Sequence, residues 1–460
     1  MISKKVAKTV LNNCLKTGAD FAEIFLEETF KSSLLKNKPD VINEATTAIE
    51  YGAGIRILKD LQSVYGYTND ISKEGLCKLA SDLASRFEGK KTHKVNEFKD
   101  EEPKVYNYKK TSVSNAYKTR LVNKAYKACK GKNPKIAQVS ITLLETNQKV
   151  WIINTDGLWT SDWRFRVRMG ISAVAAANGE MQVAFEGPGA EKGYEFFEED
   201  INVKEIAKEA AKSALVALKA KECPSAKMDV VIDNGFGGVI FHEACGHSLE
   251  ATSVAKNLSV FSGKLGQKIA SDIVSAYDDG TIENGWGSGK IDDEGNPTQR
   301  TCLIENGVLK NYLVDNQNGR RMNQKGNGAC RRQSYKYQPT SRMSNTFIAN
   351  GTSTVEEIIA STKKGLYAKK LGGGSVNPLT GEFNFAVNEA YLIKNGKIGR
   401  PVKGATLVGK GHEILFNIDM VGNNLKRAQG MCGSSSGSIP ADVGQPCIRV
   451  KNVTVGGRGK

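Results

Sequence analysis

The chain has 460 residues, of which 40% are hydrophobic and 25% are charged, an ordinary composition for a globular protein. Its formal net charge is +16, but the lysines and arginines are dispersed and form no basic stripe with aromatic side chains, which argues against a nucleic-acid partner. The chain has no apolar run of membrane-spanning length, no signal-peptide core and no regular spacing of its nine cysteines, so we expect a cytoplasmic protein with free thiols and no membrane partner.

The first half of the chain alternates helical and strand patterns, which is typical of an α/β region. Apolar residues at helical spacing predict helices at 3–17 with Ser3 as N-cap, from an N-cap at Asp70 to about Phe87, at 113–129 and at 203–221. Alternating or continuous apolar runs predict strands at 21–28, 32–35, 48–58, 137–144, 150–154, 164–177 and 180–185. We expect 137–144 to pair with 150–154, and Asn178-Gly179 to close a hairpin. The polar residues 90–110 are predicted to be a linker or an edge segment.

The short polar break at residues 223–227 is the best candidate for a domain boundary. It predicts an N-terminal α/β region at 1–222, with a further division into 1–90 and 110–222, and a C-terminal domain at 228–460. We expect the fold class to be α+β, with a β-rich C-terminal domain that carries a metal-binding helix.

Beyond the break the pattern is mainly β. A buried-type strand at 229–232 leads through a glycine-rich turn into a histidine-containing helix. Asn306-Gly307 and Asn395-Gly396 each separate two apolar runs and predict hairpins. Helices are predicted at 316–325 and at 355–362, the second behind a Thr354–Glu357 capping box, and Gly372–Gly374 is predicted to be a loop.

The sequence Phe-His-Glu-Ala-Cys-Gly-His-Ser-Leu-Glu spans residues 241–250 and contains two of the four histidines of the chain. Histidine is a common metal ligand, and a glutamate beside a metal-binding histidine is where a hydrolytic zinc site keeps its general base. However, His242 and His247 are five positions apart, or about 140° around an ideal helix. The helix must therefore widen, as in a π-bulge, or break, and Gly246 is where the backbone can deform. The alternative is two unrelated histidines on one helix.

A catalytic zinc site needs three protein ligands, and spacing alone does not identify the third. His93 and His412 lie in polar contexts and are poor candidates. Among the cysteines, Cys432 stands out because it lies in a run of small residues, although a buried structural cysteine is the ordinary interpretation. The acidic segments at 278–279 and 292–294 could bind a cation, but acidic residues beside glycine are more often turns.

The ordered blocks of the C-terminal half resemble those of the TldD/PmbA family, specifically its metal-bearing TldD branch. The blocks are residues 241–250, 259–263, 278–281, 292–300, 331–335, 342–346, 389–393, 401–407, 432–433, 443–446 and 454–457. Each block is weak alone, but their joint order is specific. Cys245 and Ser434–Ser436 depart from the family pattern without removing a ligand.

The resemblance implies a zinc metallopeptidase with one Zn²⁺ per active chain, held by His242, His247 and Cys432. It implies that Glu243 is the catalytic base that takes a proton from the zinc-bound water. It further implies short or unfolded peptides as substrates and an enclosed cavity in a homodimer, or in a heterodimer with a metal-free PmbA/TldE-like homologue.

Three further residues of the blocks that resemble the family, Tyr335, Arg342 and Asn345, are candidates for supporting the metal ligands or an oxyanion, and a purely structural role is an alternative for each. The alternative function for the whole chain is a non-catalytic subunit that holds a metal and presents peptides to a partner enzyme.

Overall fold

The structure is a computed structural model that describes residues 2–100, 107–377 and 379–459. Its α-helices are α1 (Lys4–Cys14), α2 (Lys73–Ala84), α3 (Asn115–Lys130), α4 (Val203–Lys219), α5 (Val239–Ala244), α6 (Ala251–Val254), α7 (Asn316–Met322), α8 (Val355–Ala360) and α9 (Gly411–Phe416). Its first strands are β1 (Phe21–Lys36), β2 (Glu44–Lys59), β3 (Gln62–Thr68), β4 (Lys99–Asp100), β5 (Ile136–Asn154), β6 (Leu158–Ala177), β7 (Glu180–Glu186) and β8 (Gly189–Ala190). The later strands are β9 (Lys221–Glu222), β10 (Ala226–Ile232), β11 (Ala276–Asp279), β12 (Arg300–Glu305), β13 (Val308–Leu309), β14 (Cys330–Arg331), β15 (Thr340–Ser341), β16 (Asn345–Ile348), β17 (Lys364–Val376), β18 (Glu382–Lys394), β19 (Lys397–Lys403), β20 (Ala405–Lys410), β21 (Ile418–Val421), β22 (Lys426–Ser434), β23 (Gly437–Gln445) and β24 (Ile448–Gly456).

The strands before residue 200 form one sheet in the order β3-β2-β1-β5-β6-β4, with β7 and β8 both paired to β6. The predicted strands 21–28 and 32–35 are two parts of the single strand β1. The predicted pairing of 137–144 with 150–154 is wrong, because both segments belong to β5. The polar middle of β1 pairs with the polar middle of β5, with Thr29 opposite Gln148 and Lys31 opposite Thr146. The backbone groups are therefore hydrogen-bonded even where the sequence has no apolar pattern.

The helices of this region cover the sheet with their apolar sides. Helix α1 begins at the predicted cap, where the Ser3 side chain accepts a hydrogen bond from the Val6 amide. For α2 the predicted cap was wrong: Ser72 caps the helix, and Asp70 instead accepts a bond from the Ser72 amide. Helices α3 and α4 pack against each other and against β5 and β6, enclosing a core of aliphatic and aromatic side chains. Within the predicted linker, β4 pairs with β6, while residues 101–106 lie outside the described residues.

The later strands form two further sheets and a short pair, β14-β15. In the larger sheet, β10, β24, β20, β18 and β17 pair in a closed ring, since β17 bonds to both β10 and β18. The other sheet has the order β13-β12-β11-β16-β23-β22, which leaves β22 at its edge. The fold is therefore α+β, with a β-rich C-terminal part. The part of the chain that the structure describes has no helix long and apolar enough to cross a membrane.

The predicted hairpins are confirmed, and one predicted loop is wrong. Asn178, Asn306 and Asn395 have positive φ values of 53°, 48° and 51°, as their Asn-Gly turns require. Gly372–Gly374, predicted to be a loop, lies inside β17. Glycine is needed there because a Cβ at Gly374 would lie 2.1 Å from Cδ1 of Phe385 on the paired strand. The capping box at Thr354 and Glu357 is present at the start of α8.

Candidate metal centre

The histidine segment is positioned by a close crossing of two chain segments. Strand β10 ends in a turn at Gly235, whose φ is 68°, and a short 3₁₀ turn over Gly235–Gly238 leads into α5. A Cβ at Gly238 would lie 2.4 Å from the backbone of Gly444 in β23, so only glycine permits this approach. Val239, Ile240 and Phe241 are buried in the main C-terminal core, which fixes α5 and therefore His242.

The helix breaks between the two histidines. Helix α5 ends at Ala244, Cys245 has φ −127° and ψ −50°, and a 3₁₀ turn covers Gly246–Leu249. The deformation predicted near Gly246 is thus a break followed by a tighter turn, not a π-bulge. Gly246 is required for packing: a Cβ there would lie 2.1 Å from the sulfur of Met343. The break turns His247 back toward His242, and their ring centroids are 5.1 Å apart.

The structure brings His242, His247 and Cys432 together. Nε2 of His242 is 3.2 Å and Nε2 of His247 is 3.3 Å from Cys432 Sγ. One nitrogen from each imidazole and the sulfur lie within 4.8 Å of one another, which is the spacing of a cation-binding group. Cys432 comes from the edge strand β22, far from the histidines in sequence. Two imidazoles and a thiolate are donors suited to zinc and related metals.

Electrostatics favour a thiolate at Cys432. Burial raises the pKa of the thiol, but the charges and hydrogen bonds of His242 and His247 outweigh burial and lower that pKa to about 3. For His247, burial lowers the imidazole pKa, but Glu250 and Cys432 together raise it well above its ordinary value. Cys432 and His247 thus form a thiolate–imidazolium pair, and a bound metal would replace the proton between them.

Glu250 orients one of the two imidazoles. Nδ1 of His247 donates to Oε1 of Glu250 at 3.1 Å, which directs Nε2 at Cys432 and leaves that nitrogen free to bind a metal once the imidazole is neutral. Sequence reasoning gave Glu250 no role, although its position three residues after His247 was a usable signal once the turn was known. By contrast, Nδ1 of His242 is buried and has no hydrogen-bond partner among the described residues.

Glu243 faces the cluster without joining it. Its Oε2 is 3.7 Å from Nε2 of His247, and 22% of its side chain is exposed. A carboxylate in this position can reach a small molecule held between the histidines and Cys432, and can exchange protons with solvent.

The three residues predicted to support the site have different surroundings. Arg342 is fully buried and donates to the Cys432 carbonyl and to Ser436 Oγ (2.8 Å), so it holds the strand that carries Cys432. Asn345 binds the Asp279 carbonyl at 2.6 Å, which is a structural contact. Tyr335 packs in a separate apolar cluster against the first sheet, and its amide donates to Glu27.

The acidic side chains that were candidates for a cation site bind other groups of the protein instead. Asp278 accepts hydrogen bonds from Ser344 and Thr346. Residues 292–294 meet arginines of the first sheet in a buried ion-pair network, which we call the charge network. Its members are Glu23, Arg56, Asp162, Arg164, Asp293, Glu294 and Arg332.

The remaining candidates stay apart from the cluster. His93 is exposed, and His412 lies on α9. Cys245 is fully buried in the main C-terminal core, where burial raises the pKa of its thiol.

Comparison with known proteins matches three consecutive segments of the chain to one family. Residues 22–86 match the PmbA/TldA metallopeptidase domain 1, residues 108–218 its central domain, and residues 225–457 its C-terminal domain. The chain is 36% identical over 450 residues to a protein of Buchnera aphidicola named metalloprotease TldD homolog, covering 95% of this chain and 93% of that one.

Two solved structures share the fold. A protein of Thermotoga maritima, described as a candidate modulator of a DNA gyrase, superposes with a TM-score of 0.78 at 24% identity over 95% of this chain and 96% of that chain. TldE of Thermococcus kodakarensis superposes with a TM-score of 0.77 at 20% identity over 95% of this chain and 97% of that chain. At these identities the structures establish a common fold alone.

Proposed function

The chain belongs to the PmbA/TldD metallopeptidase family, and from this we propose that it is a zinc-dependent peptidase whose metal is held by His242, His247 and Cys432 and whose general base is Glu243. The observation that carries the proposal is the convergence of three donor atoms from two distant segments beside a part-exposed carboxylate. We expect one Zn²⁺ per active chain.

The residues present fit such an ion. Both imidazole Nε2 atoms lie on the side of Cys432, and the thiol is already poised as a thiolate. Zinc bound by three protein ligands supplies an activated water and polarises a substrate carbonyl. Two neutral imidazoles and one thiolate leave such a site with net positive charge, which suits an oxyanion.

Glu243 is suited to move the proton. Its Oε2 lies on the same side as Nε2 of His247, so a water near that nitrogen is within reach of the carboxylate. The carboxylate accepts the proton from the attacking water and returns it to the leaving amine. Its partial exposure keeps it accessible to the substrate.

Two other residues keep the donors in place. Glu250 fixes the tautomer and the orientation of His247 through the Nδ1 bond. Arg342 ties β22 to the loop at Ser436 through its guanidinium, so Cys432 cannot swing away from the histidines. Rigid placement of donors is what a catalytic site requires.

As substrates we propose short or unfolded peptides, cleaved in an enclosed cavity of a two-subunit particle. The second subunit is a second copy or a metal-free homologue of the TldE type, whose fold this chain shares. We place the particle in the cytoplasm. Light scattering on the purified protein, with and without such a homologue, checks the subunit number. Rapid digestion of a folded globular protein would contradict the enclosed cavity.

The decisive experiment replaces Glu243 with glutamine in the zinc-loaded protein. We expect peptide cleavage to fall about 10²- to 10⁴-fold, because the base is lost, while the zinc content stays at one per chain. The matched control is Glu413→Gln, an exposed glutamate on α9. Equal cleavage by Glu243→Gln and wild type would remove the catalytic assignment. If both proteins bind zinc and peptide without cleaving, the chain is the metal-holding, peptide-binding subunit instead.

A further inference from the structure

A cavity of about 340 Å³ lies between β6 of the first sheet and the β22–β23 hairpin. Ile439 lines this cavity and pairs with Cys432 across the hairpin, and Met431 lines it from the residue before Cys432. Ile439 thus lines the cavity and also packs against Cys432, the proposed metal ligand. A volume of this size is in the range of sites that bind small ligands.

The side chains that line the cavity are predominantly cationic, and we call the cavity the arginine pocket. Its ionisable residues are Lys31, Arg164, Arg166, Arg168, Arg331, Arg332, Glu27 and Asp293. The pocket is thus lined by six basic side chains and two carboxylates. Such an excess of positive charge in a recess attracts anions.

Both carboxylates are already used within the protein. Asp293 accepts from Nη1 of Arg164 at 2.8 Å and from the Arg332 amide at 2.6 Å. Glu27 accepts from the Tyr335 amide at 2.7 Å and from the Gln148 side chain at 2.9 Å. Neither is left to neutralise the remaining arginines.

Arg168 and Arg331 are the two cations of the pocket that form no ion pair in the described ranges. Arg168 donates to the carbonyls of Gly187 (3.2 Å) and Gln429 (3.0 Å), and its guanidinium lies 5.4 Å from the centre of a Trp286 ring. Arg331 donates to the Met343 carbonyl at 2.8 Å. Neither has a carboxylate within ion-pair distance in the described ranges, and both are only partly buried.

Around Arg331 the neighbouring arginines outweigh the attraction of Asp293. Burial, followed by the repulsion of Arg166, lowers the pKa of the Arg331 guanidinium to about 9. The group stays charged at neutral pH, and a bound anion would relieve the repulsion. Guanidinium groups bind carboxylates through paired, charge-assisted hydrogen bonds.

We propose that the arginine pocket binds a carboxylate of the peptide substrate, through Arg168 and Arg331, beside the metal centre. The carboxylate is either the free C-terminus of the peptide or an acidic side chain near the cleaved bond. The choice of a peptide as the ligand rests on the proposed function. The pocket would then make the enzyme select anionic peptides and set where along the chain they are cut.

The test measures binding rather than cleavage, so the zinc-loaded Glu243→Gln protein is used and the peptides stay intact. Three forms of one short peptide are titrated calorimetrically: a free acid, its C-terminal amide, and the amide with one glutamine replaced by glutamate. We expect at least one anionic form to bind about tenfold or more tightly than the neutral amide. The form that is preferred identifies the source of the carboxylate.

Arginine variants then locate the binding. Adding Arg168→Gln or Arg331→Gln should weaken the anionic peptide about tenfold and leave the neutral amide unchanged, whereas the exposed control Arg86→Gln should change neither. Because Arg331 also holds the Met343 carbonyl, Arg331→Lys is included to keep a charge if the glutamine variant unfolds. Equal affinity for all three peptides, no binding of any, or a preference that survives both arginine variants would overturn the proposal. Failure of the wild type to cleave peptides would contradict the proposed function alone, since the binding preference is measured separately.

Discussion

The metal centre and the charge network are both buried clusters of ionisable groups, but they are completed in opposite ways. In the charge network each carboxylate meets a guanidinium: Arg56 lies 2.8 Å from Glu23 and 2.6 Å from Glu294, and all three side chains are inaccessible to solvent. In the metal centre His242, His247 and Cys432 instead each direct one ligand atom toward a common point.

The difference indicates a structural role for the charge network and supports the proposed metal-binding role of the other cluster. Opposite charges that pair with each other hold two parts of the chain together. The converging lone pairs of two imidazoles and a thiolate repel one another unless protons or a metal cation lie between them. Composition does not distinguish the two cases, since both contain residues that can bind metals. What distinguishes them is whether each charged side chain pairs with one of opposite charge.

The largest effect should come from removing the least local ligand. We expect Cys432→Ala to reduce the zinc content from one per chain to a small fraction and peptide cleavage by about 10³-fold or more, because two imidazoles alone do not hold a catalytic zinc. Metal analysis and peptide hydrolysis measure both. Cys302→Ala, at a half-buried cysteine away from the site, is the control. Full zinc occupancy in Cys432→Ala would mean that the cluster is not the metal site.

Breaking the charge network should act on stability instead. Arg56→Met leaves Glu23 and Glu294 buried without their partner, and we expect the free energy of unfolding to fall by about 3–5 kcal/mol while the zinc content per folded chain is unchanged. Urea denaturation provides the measurement, with the exposed Arg86→Met as control. A loss of zinc without a loss of stability would reverse the roles assigned to the two clusters.

Much of the fold could be predicted because it depends on local rules. Asn-Gly turns require positive φ, and the capping residues Ser3 and Thr354 satisfy local amides, so each was visible in the sequence. The predictions failed where residues far away in the sequence determine the local structure. The polar centre of β5 remains a strand because β1 and β6 bond to it, and Gly374 lies in a strand because Phe385 covers it.

The candidate site, too, could be predicted only in part. The pair His242 and His247 with Glu243 could be found in one segment, and the need for a helix deformation followed from spacing. Cys432 could be assigned only by resemblance, because its approach depends on the β22–β23 hairpin. The partners of Asp293 and Glu294 are arginines more than a hundred positions away, so the sequence suggested turns or a cation site.

Glu191 is a buried carboxylate outside both clusters, and it should make the free energy of unfolding depend on pH. It accepts from the Tyr108 hydroxyl at 2.9 Å and lies 3.5 Å from Arg166, but burial raises the pKa of its carboxyl from 4.5 to about 7. Between pH 4.5 and 7 the folded chain therefore holds a proton that the unfolded chain has lost. Stability should fall by about 2–3 kcal/mol as the pH rises through this window.

The variant Glu191→Gln should abolish that part of the pH dependence. Unfolding by urea at several pH values between 4.5 and 7.5 measures it, and Glu186→Gln, on a part-exposed carboxylate of β7, is the control. An unchanged slope in Glu191→Gln would show that Glu191 is ionised in the folded chain throughout.

The smallest effect concerns the break that lets the histidines converge. Gly246→Ala adds a methyl group that meets the Met343 sulfur at 2.1 Å in a fully buried position, so the side chain of Met343 must move. We expect about 1–3 kcal/mol of destabilisation and weaker zinc binding, because the turn that carries His247 shifts with it. Gly373→Ala is a matched control, since open space surrounds that glycine. The double variant Gly246→Ala/Met343→Val should recover part of both losses, because the smaller side chain makes room. If Gly246→Ala instead binds zinc as the wild type does, the close contact with Met343 does not position His247, and convergence depends on the Glu250 bond alone.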